Sequence, residues 1–268
     1  MKIFLPYRAE FGFLVMVHAP QVHHCVAQVD SCIVCCEAGN EALYPHAYAY
    51  CHIKRRKDSE RRQSLECDML EAASQRLREV YKNDACEFIK PDPAAPRKYF
   101  VPKPHYPIKL SREPDVVICP RHRDYGSDKN WEHWQTLADR LASNGLIVFA
   151  AGAPDSSSWV KTNGGTAWAQ ERFLDATIEA MRQAKLVVAT DCGLAHLAIL
   201  CGKPLLMISY KNGLVAPGHD DVGHDYWPIK MERYKRENHL DQPIHVLYDT
   251  WNDVDKVIDK TRSLLCES

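Results

Sequence analysis

The chain has 268 residues, 46% of them hydrophobic and 26% charged, with a net charge of −1. That composition supplies a packed core and excludes a disordered or fibrous chain; the near-zero charge gives no global field to draw in nucleic acid or an anionic membrane. No run reaches the roughly 18 apolar residues a membrane span needs, and the short apolar run at 11–17 lacks the cleavage site of a signal peptide.

The eleven cysteines are scattered, and several sit inside apolar runs, as Cys32, Cys35, Cys36 and Cys119 do. That is the distribution of buried free thiols, and it predicts a reducing, cytoplasmic setting. Cys32 and Cys35 form a CxxC, but on a strand their thiols point to opposite faces, so no metal site is expected.

Taken in chain order, residues 2–6 read as a short buried strand, followed by a loop and an apolar helical run to about His18. Residues 32–36 form a continuous apolar run, as a buried parallel strand requires. A weaker strand is expected at 47–50. Residues 54–82 are charged, with Leu65, Met69, Leu70, Leu77 and Val80 marking the apolar stripe of a helix. Seven prolines between 91 and 114 predict a stiff extended connector, and the domain boundary is placed there, between residues 108 and 109.

The second half is more regular. Strands are expected at 115–119, 146–150, 186–189 and 204–209. Helices are expected at 130–143 (stopped by Asn144-Gly145), 173–185, 194–201 and 252–265, the last capped by Asn252. Alternating strands and helices imply right-handed βαβ units and parallel sheets. The predicted class is α/β, with two Rossmann-like domains, 1–108 and 109–268, facing across a cleft.

In open α/β sheets ligands sit beyond the carboxyl ends of the strands, so the residues to weigh follow each strand. After Cys119 comes a loop with Arg121, Arg123 and Lys129 ahead of a helix start. It is either a diphosphate cradle built from cations and unpaired N–H groups or a solvated basic loop. After Ala189 comes Asp191-Cys192-Gly193-Leu194-Ala195-His196. Gly193 allows close backbone approach, and His196 lies in the first turn of the next helix; the alternative is a capped helix with a structural histidine. Glu10 and Glu37, which follow the first and second strands, read on position alone as surface carboxylates. His18, His23 and His24 lack a fourth partner and read as incidental. Asp253-Val254-Asp255 reads as first-turn acids, and Gly218-His219-Asp220-Asp221 as a shaped loop.

The segment 116–209 resembles the C-terminal domain of the bacterial heptosyltransferase family, glycosyltransferase family 9, which has the GT-B fold. The family signature D-[ST]-G-x-x-H-x-A is matched by Asp191-Cys192-Gly193-Leu194-Ala195-His196-Leu197-Ala198, followed by Gly202-Lys203-Pro204. The family's K-x-W is matched by Lys129-Asn130-Trp131, and its small loop after the second strand by Ala150-Ala151-Gly152-Ala153.

The resemblance implies that Asp191, Cys192, Gly193 and His196 line the diphosphate and sugar of a nucleotide-sugar donor. Lys129 would pair with the diphosphate, and Gly152 would lie near the nucleoside. Cys192 stands where the family has a hydroxyl residue, which weakens one hydrogen bond to phosphate.

Domain 1–108 becomes the acceptor side and 109–268 the nucleotide-sugar side. The implied reaction is metal-independent, inverting transfer to a hydroxyl acceptor with Glu10 as the general base and Glu37 as the reserve. No cofactor is expected beyond the donor. The acceptor is a glycan, a lipid-linked sugar or nucleic acid; DNA-base glycosylation stays open because the basic run at 54–62 could supply a local patch. The rival readings are a nucleotide-sugar epimerase or hydrolase of the same fold, and a degenerate nucleotide- or glycan-binding module.

Overall fold

The computed structural model describes residues 1–6, 11, 14–29, 32–53, 75, 77–80, 86–90, 92, 95–123, 130–169, 172–209, 242–248 and 250–267. The chain divides into two compact units, Met1–His105 and Tyr106–Ser268. Each is built on a parallel sheet.

In the first unit β1 (Lys2–Phe4) pairs with β2 (Cys32–Glu37), and β2 with β3 (Ala49–Ile53). A further strand, β4 (Glu87–Ile89), pairs with the other side of β1, giving the order β3-β2-β1-β4. Ile3, Leu5, Ile33 and Cys35 alternate onto one face and pack with Leu77. The strand expected at 47–50 starts later, because Ala47 still closes a turn onto the Tyr44 carbonyl and the ladder opens only where the Tyr48 amide meets Cys32 O.

The first helix runs beyond its expected end at His18. A π-turn over Leu14–His18 continues into α1 (Ala19–Val26). Pro20 sits in the first turn of α1, where a missing N–H is tolerated. It offers no N–H to the carbonyl four residues back, Met16, and the Tyr99 hydroxyl donates to that oxygen at 3.2 Å. Of the expected helix over 54–82, residues 75 and 77–80 are described, and they are helical. The prolyl stretch carries no helix or strand among its described residues.

The second unit holds β5 (Val116–Cys119), α2 (Trp134–Ser143), β6 (Val148–Ala150), α3 (Phe173–Gln183), β7 (Leu186–Thr190), α4 (Gly193–Leu200), β8 (Leu205–Ile208), β9 (Ile244–Leu247) and α5 (Val254–Glu267). The strand order is β6-β5-β7-β8-β9, with every pair parallel. Val116, Ile118, Val148, Val188 and Leu206 face Leu137, Leu141, Val257 and Ile258 of α2 and α5 in one core. The alternating residues Val117, Phe149, Val187 and Met207 are equally buried. Both faces are therefore covered, which is why these strands read as unbroken apolar runs.

Two helix starts differ from expectation. α2 begins at Trp134 rather than at Asn130, because the Asn130 side chain is spent on the preceding loop: its Nδ2 donates to Arg123 O at 2.7 Å and its Oδ1 accepts from Arg123 N at 3.1 Å. α5 is capped by Asp253, not Asn252, since Asp253 Oδ1 accepts from the Lys256 amide at 3.1 Å. The stop after α2 is as expected, with Gly145 at φ 83°.

Candidate functional site

The first strand of the second unit, β5, lies between β6 and β7. The chain leaves β5 toward β6 on one side and leaves β7 toward β8 on the other, so the strand order reverses between β5 and β7. At such a switch point the loops leaving two adjacent strands part, and a crevice opens beyond their carboxyl ends. Register fixes what borders it. Cys119 pairs with Ala189, so Arg121 and Asp191, each two residues further, stand at the same level.

Arg121 is 6% exposed, and its Nη1 donates to Asn130 Oδ1 at 2.6 Å. Asn130 therefore braces both Arg121 and the backbone at Arg123, a role its place in the sequence did not suggest. Arg121 is also held through its backbone: it forms an antiparallel bridge with Ser157, the His122 amide donates to Ser156 O, and the Ser158 amide donates to Pro120 O at 2.7 Å. The loop leaving β6 thus folds back as a clamp on the loop leaving β5.

Gly152 stands in that clamp at φ 151°, a conformation side-chain-bearing residues rarely adopt, and a Cβ there would overlap the Ser157 hydroxyl. Ser157 fills the side where a Cβ would stand. What Gly152 could offer a ligand is backbone, not space.

Across the switch point, Cys192 is the N-cap of α4 in extended conformation and makes no side-chain cap bond. Burial pushes its thiol up; the nearby amides of Ala195 and Leu194 and the Arg121 charge work the other way. Arg121 and the α4 N-terminus thus share one electrostatic neighbourhood. α4 is almost wholly apolar and buried from Ala195 onward, and its first turn follows directly from the carboxyl end of β7. His196, 7% exposed, lies in that turn. Thr190, the last residue of β7, buries a hydroxyl with no hydrogen-bond partner among the described residues.

The structure therefore brings Arg121, Arg123, Gly152, Asp191, Cys192, Gly193 and His196 to one edge of one sheet. Glu10 and Lys129 lie outside the described residues, as do the basic run at 54–62 and the loop at 218–221. The third residue of the K-x-W match, Trp131, is core: its indole N–H donates to Trp251 O at 2.6 Å, and its ring meets Trp134 edge-on at 5.0 Å. The reserve residue Glu37 ends β2, and the neighbouring Glu41 carboxylate meets His52 Nε2 at 2.7 Å. His18 is buried, with its Nδ1 2.8 Å from the Tyr44 hydroxyl, and the His23 ring lies tilted against those of His46 and Phe100. Among the described residues no group of three or more His, Cys, Asp or Glu side chains is placed to hold a metal ion, and no helix is long and apolar enough to cross a membrane.

A family model described as glycosyltransferase family 9 (heptosyltransferase) matches residues 61–210. Similar solved structures include the ADP-heptose lps heptosyltransferase II of E. coli, at 14% identity and TM-score 0.57, covering 100% of this chain and 99% of that one. A family 9 glycosyl transferase from Veillonella parvula DSM 2008 has 11% identity and TM-score 0.57, with 100% and 98% coverage. E. coli heptosyltransferase WaaC with ADP has 15% identity and TM-score 0.51, with 97% and 100% coverage. At these identities the likeness is one of fold, the GT-B fold. No curated protein matches the chain by sequence.

Proposed function

The chain belongs to glycosyltransferase family 9, and from that premise we propose that its second domain, 109–268 by the proline-rich boundary, holds a nucleoside-diphosphate sugar at the switch point between β5 and β7. The observation that carries the reading is the meeting there of Arg121 and the first turn of α4, within the Asp191-Cys192-Gly193-Leu194-Ala195-His196 motif.

A glycosyl transfer of this kind has an acceptor oxygen attack the anomeric carbon while the carbon–oxygen bond to the diphosphate breaks. The diphosphate leaves with the electron pair. Charge building on it is met by preorganised donors and cations. In this proposal those are Arg121, Arg123 and Lys129 and the amides at Gly193 and Leu194. His196 and Asp191 contact the sugar or diphosphate, and the backbone at Gly152 lies near the nucleoside. With this much fixed positive potential the reaction is metal-independent, and direct displacement inverts the anomeric centre. Glu10, from the first unit, is the proposed base that takes the acceptor proton.

The favoured donor is an ADP-heptose, the sugar nucleotide for which the E. coli heptosyltransferase II of the same family is named. Ten free cysteines among the described residues, most of them buried or half-buried, suit a reducing cytoplasm.

The test is to incubate the protein with ADP-heptose, UDP-glucose and GDP-mannose, with and without EDTA. Nucleotide release and the anomeric configuration of the first-formed sugar are followed by NMR. Release of one nucleotide, unaffected by EDTA and with inversion, is expected, slowly where water is the acceptor. Retention or EDTA sensitivity would overturn the finer mechanism. Fast release into water without any added acceptor would favour the hydrolase reading.

A further inference from the structure

Beyond the residues assigned above, the carboxyl edge of the second sheet carries an aromatic pair of which one ring, Trp159, is left out of the core. Trp159 is 72% exposed. Its ring centroid lies 5.7 Å from that of Trp168, with the planes at 52°. Trp168 is packed against the main core and is the anchor of the two.

Both rings are tied to the β6 end of the candidate site. Ala150 bridges to Thr166 in parallel, so Gly152 and Trp168, each two residues further, stand side by side. A Cβ built on Gly152 would lie 3.7 Å from the Trp168 ring. Trp159 follows Ser158, whose amide is bonded to Pro120 O, so the residue that clamps the Arg121 loop is its immediate neighbour.

We propose that Trp159, braced by Trp168, is a stacking platform for the base of the nucleoside diphosphate. This rests on the donor site proposed above. A flat indole offers large contact area for two side-chain torsions, and every base has a face to stack on it. Recognition of this kind holds the base firmly and discriminates weakly between bases. The diphosphate lies toward Arg121 and the α4 start, and the base lies toward Trp159. Base and phosphate binding are therefore separable by mutation.

The experiment measures dissociation constants of ADP, GDP, UDP and inorganic pyrophosphate by calorimetry for the wild type, Trp159→Ala and Trp159→Phe. Loss of a stacking contact is expected to weaken nucleoside diphosphates by about 5- to 150-fold in Trp159→Ala. Pyrophosphate should be unchanged, and Trp159→Phe should recover most of the loss. Nucleotide-induced quenching of tryptophan fluorescence should fall in Trp159→Phe. If Trp159→Ala binds the nucleotides as the wild type does, the platform is refuted and the donor site stands. If Trp159→Ala loses pyrophosphate equally, the residue acts on the fold and the platform is again refuted. If the wild type binds none of the nucleotides, the donor-site reading itself falls.

Discussion

Replacing Gly152 with alanine tests how the loop leaving β6 is built. The new methyl enters at φ 151° and overlaps the Ser157 hydroxyl. The backbone term is about 1–3 kcal/mol for a residue held in a sparsely populated region. The overlap adds about 1–3 kcal/mol, as in other overpacked sites. Together they predict a loss of about 2–6 kcal/mol, or a fall in Tm of roughly 5–20 °C. All six tryptophans lie in the second unit, so tryptophan fluorescence in urea follows that unit alone. Adding Ser157→Gly removes the overlap and leaves the backbone strain, so the double variant should recover about half of the loss. The coupling between the two sites should be about 1 kcal/mol or more, above the roughly 0.3–0.5 kcal/mol scatter of independent sites. A stable Gly152→Ala protein, or a double variant no better than the single, would refute the steric account of this glycine.

Cys192→Ser places a hydroxyl at the N-cap of α4, where the thiol makes no cap bond. It should stabilise the protein by about 0.5–1 kcal/mol and tighten pyrophosphate binding; calorimetry reads the second effect and thermal unfolding the first. Trp131→Phe removes the 2.6 Å bond to Trp251 O and leaves a buried carbonyl without that donor. The loss should be about 1–3 kcal/mol, measured by circular dichroism because the fluorophore itself is changed. His18 is held down to about 3 by burial, partly opposed by a hydrogen bond with the Leu5 backbone. In the unfolded chain it titrates near its ordinary value of about 6.5. The unfolded state therefore takes up the proton first as pH falls, and stability present above about pH 6.5 is lost progressively toward pH 3, at roughly 1.4 kcal/mol per pH unit. Between about pH 6.5 and pH 5 the wild type should lose about 2 kcal/mol more than His18→Gln in urea titrations; equal losses would show that His18 is not buried as a neutral ring.

The β5, β7 and β8 strands were legible because a sheet covered on both faces demands continuous apolar runs, and Val116–Cys119, Leu186–Thr190 and Leu205–Ile208 are such runs. β4 and β9 were not expected. Glu87–Ile89 is three residues long, and Ile244–Leu247 is only half-buried and interrupted by His245, so neither shows a period. The helix expected from Asn130 starts four residues late because the Asn130 side chain reaches backward to Arg121 and Arg123. That Arg121, Asp191 and Gly193 stand at the carboxyl edge of the sheet followed from one rule, that the residues just after parallel strands line that edge. The parts of Ser157 and Trp159 did not, because they depend on the loop from β6 folding back onto Pro120 and Arg121, a long-range pairing with no local pattern.

The most direct test of the donor site is a thermal-shift titration of the wild type, Arg121→Ala and His196→Ala with ADP, GDP, UDP, CDP and dTDP. A nucleotide present at about a hundred times its dissociation constant should stabilise the wild type by about 2.7 kcal/mol, a rise in Tm of roughly 5–10 °C. The account predicts that at least one nucleotide gives this shift and that both variants lose most of it. Absence of a shift with all five, or variants that respond as fully as the wild type, would contradict a nucleotide site at the β5–β7 switch point.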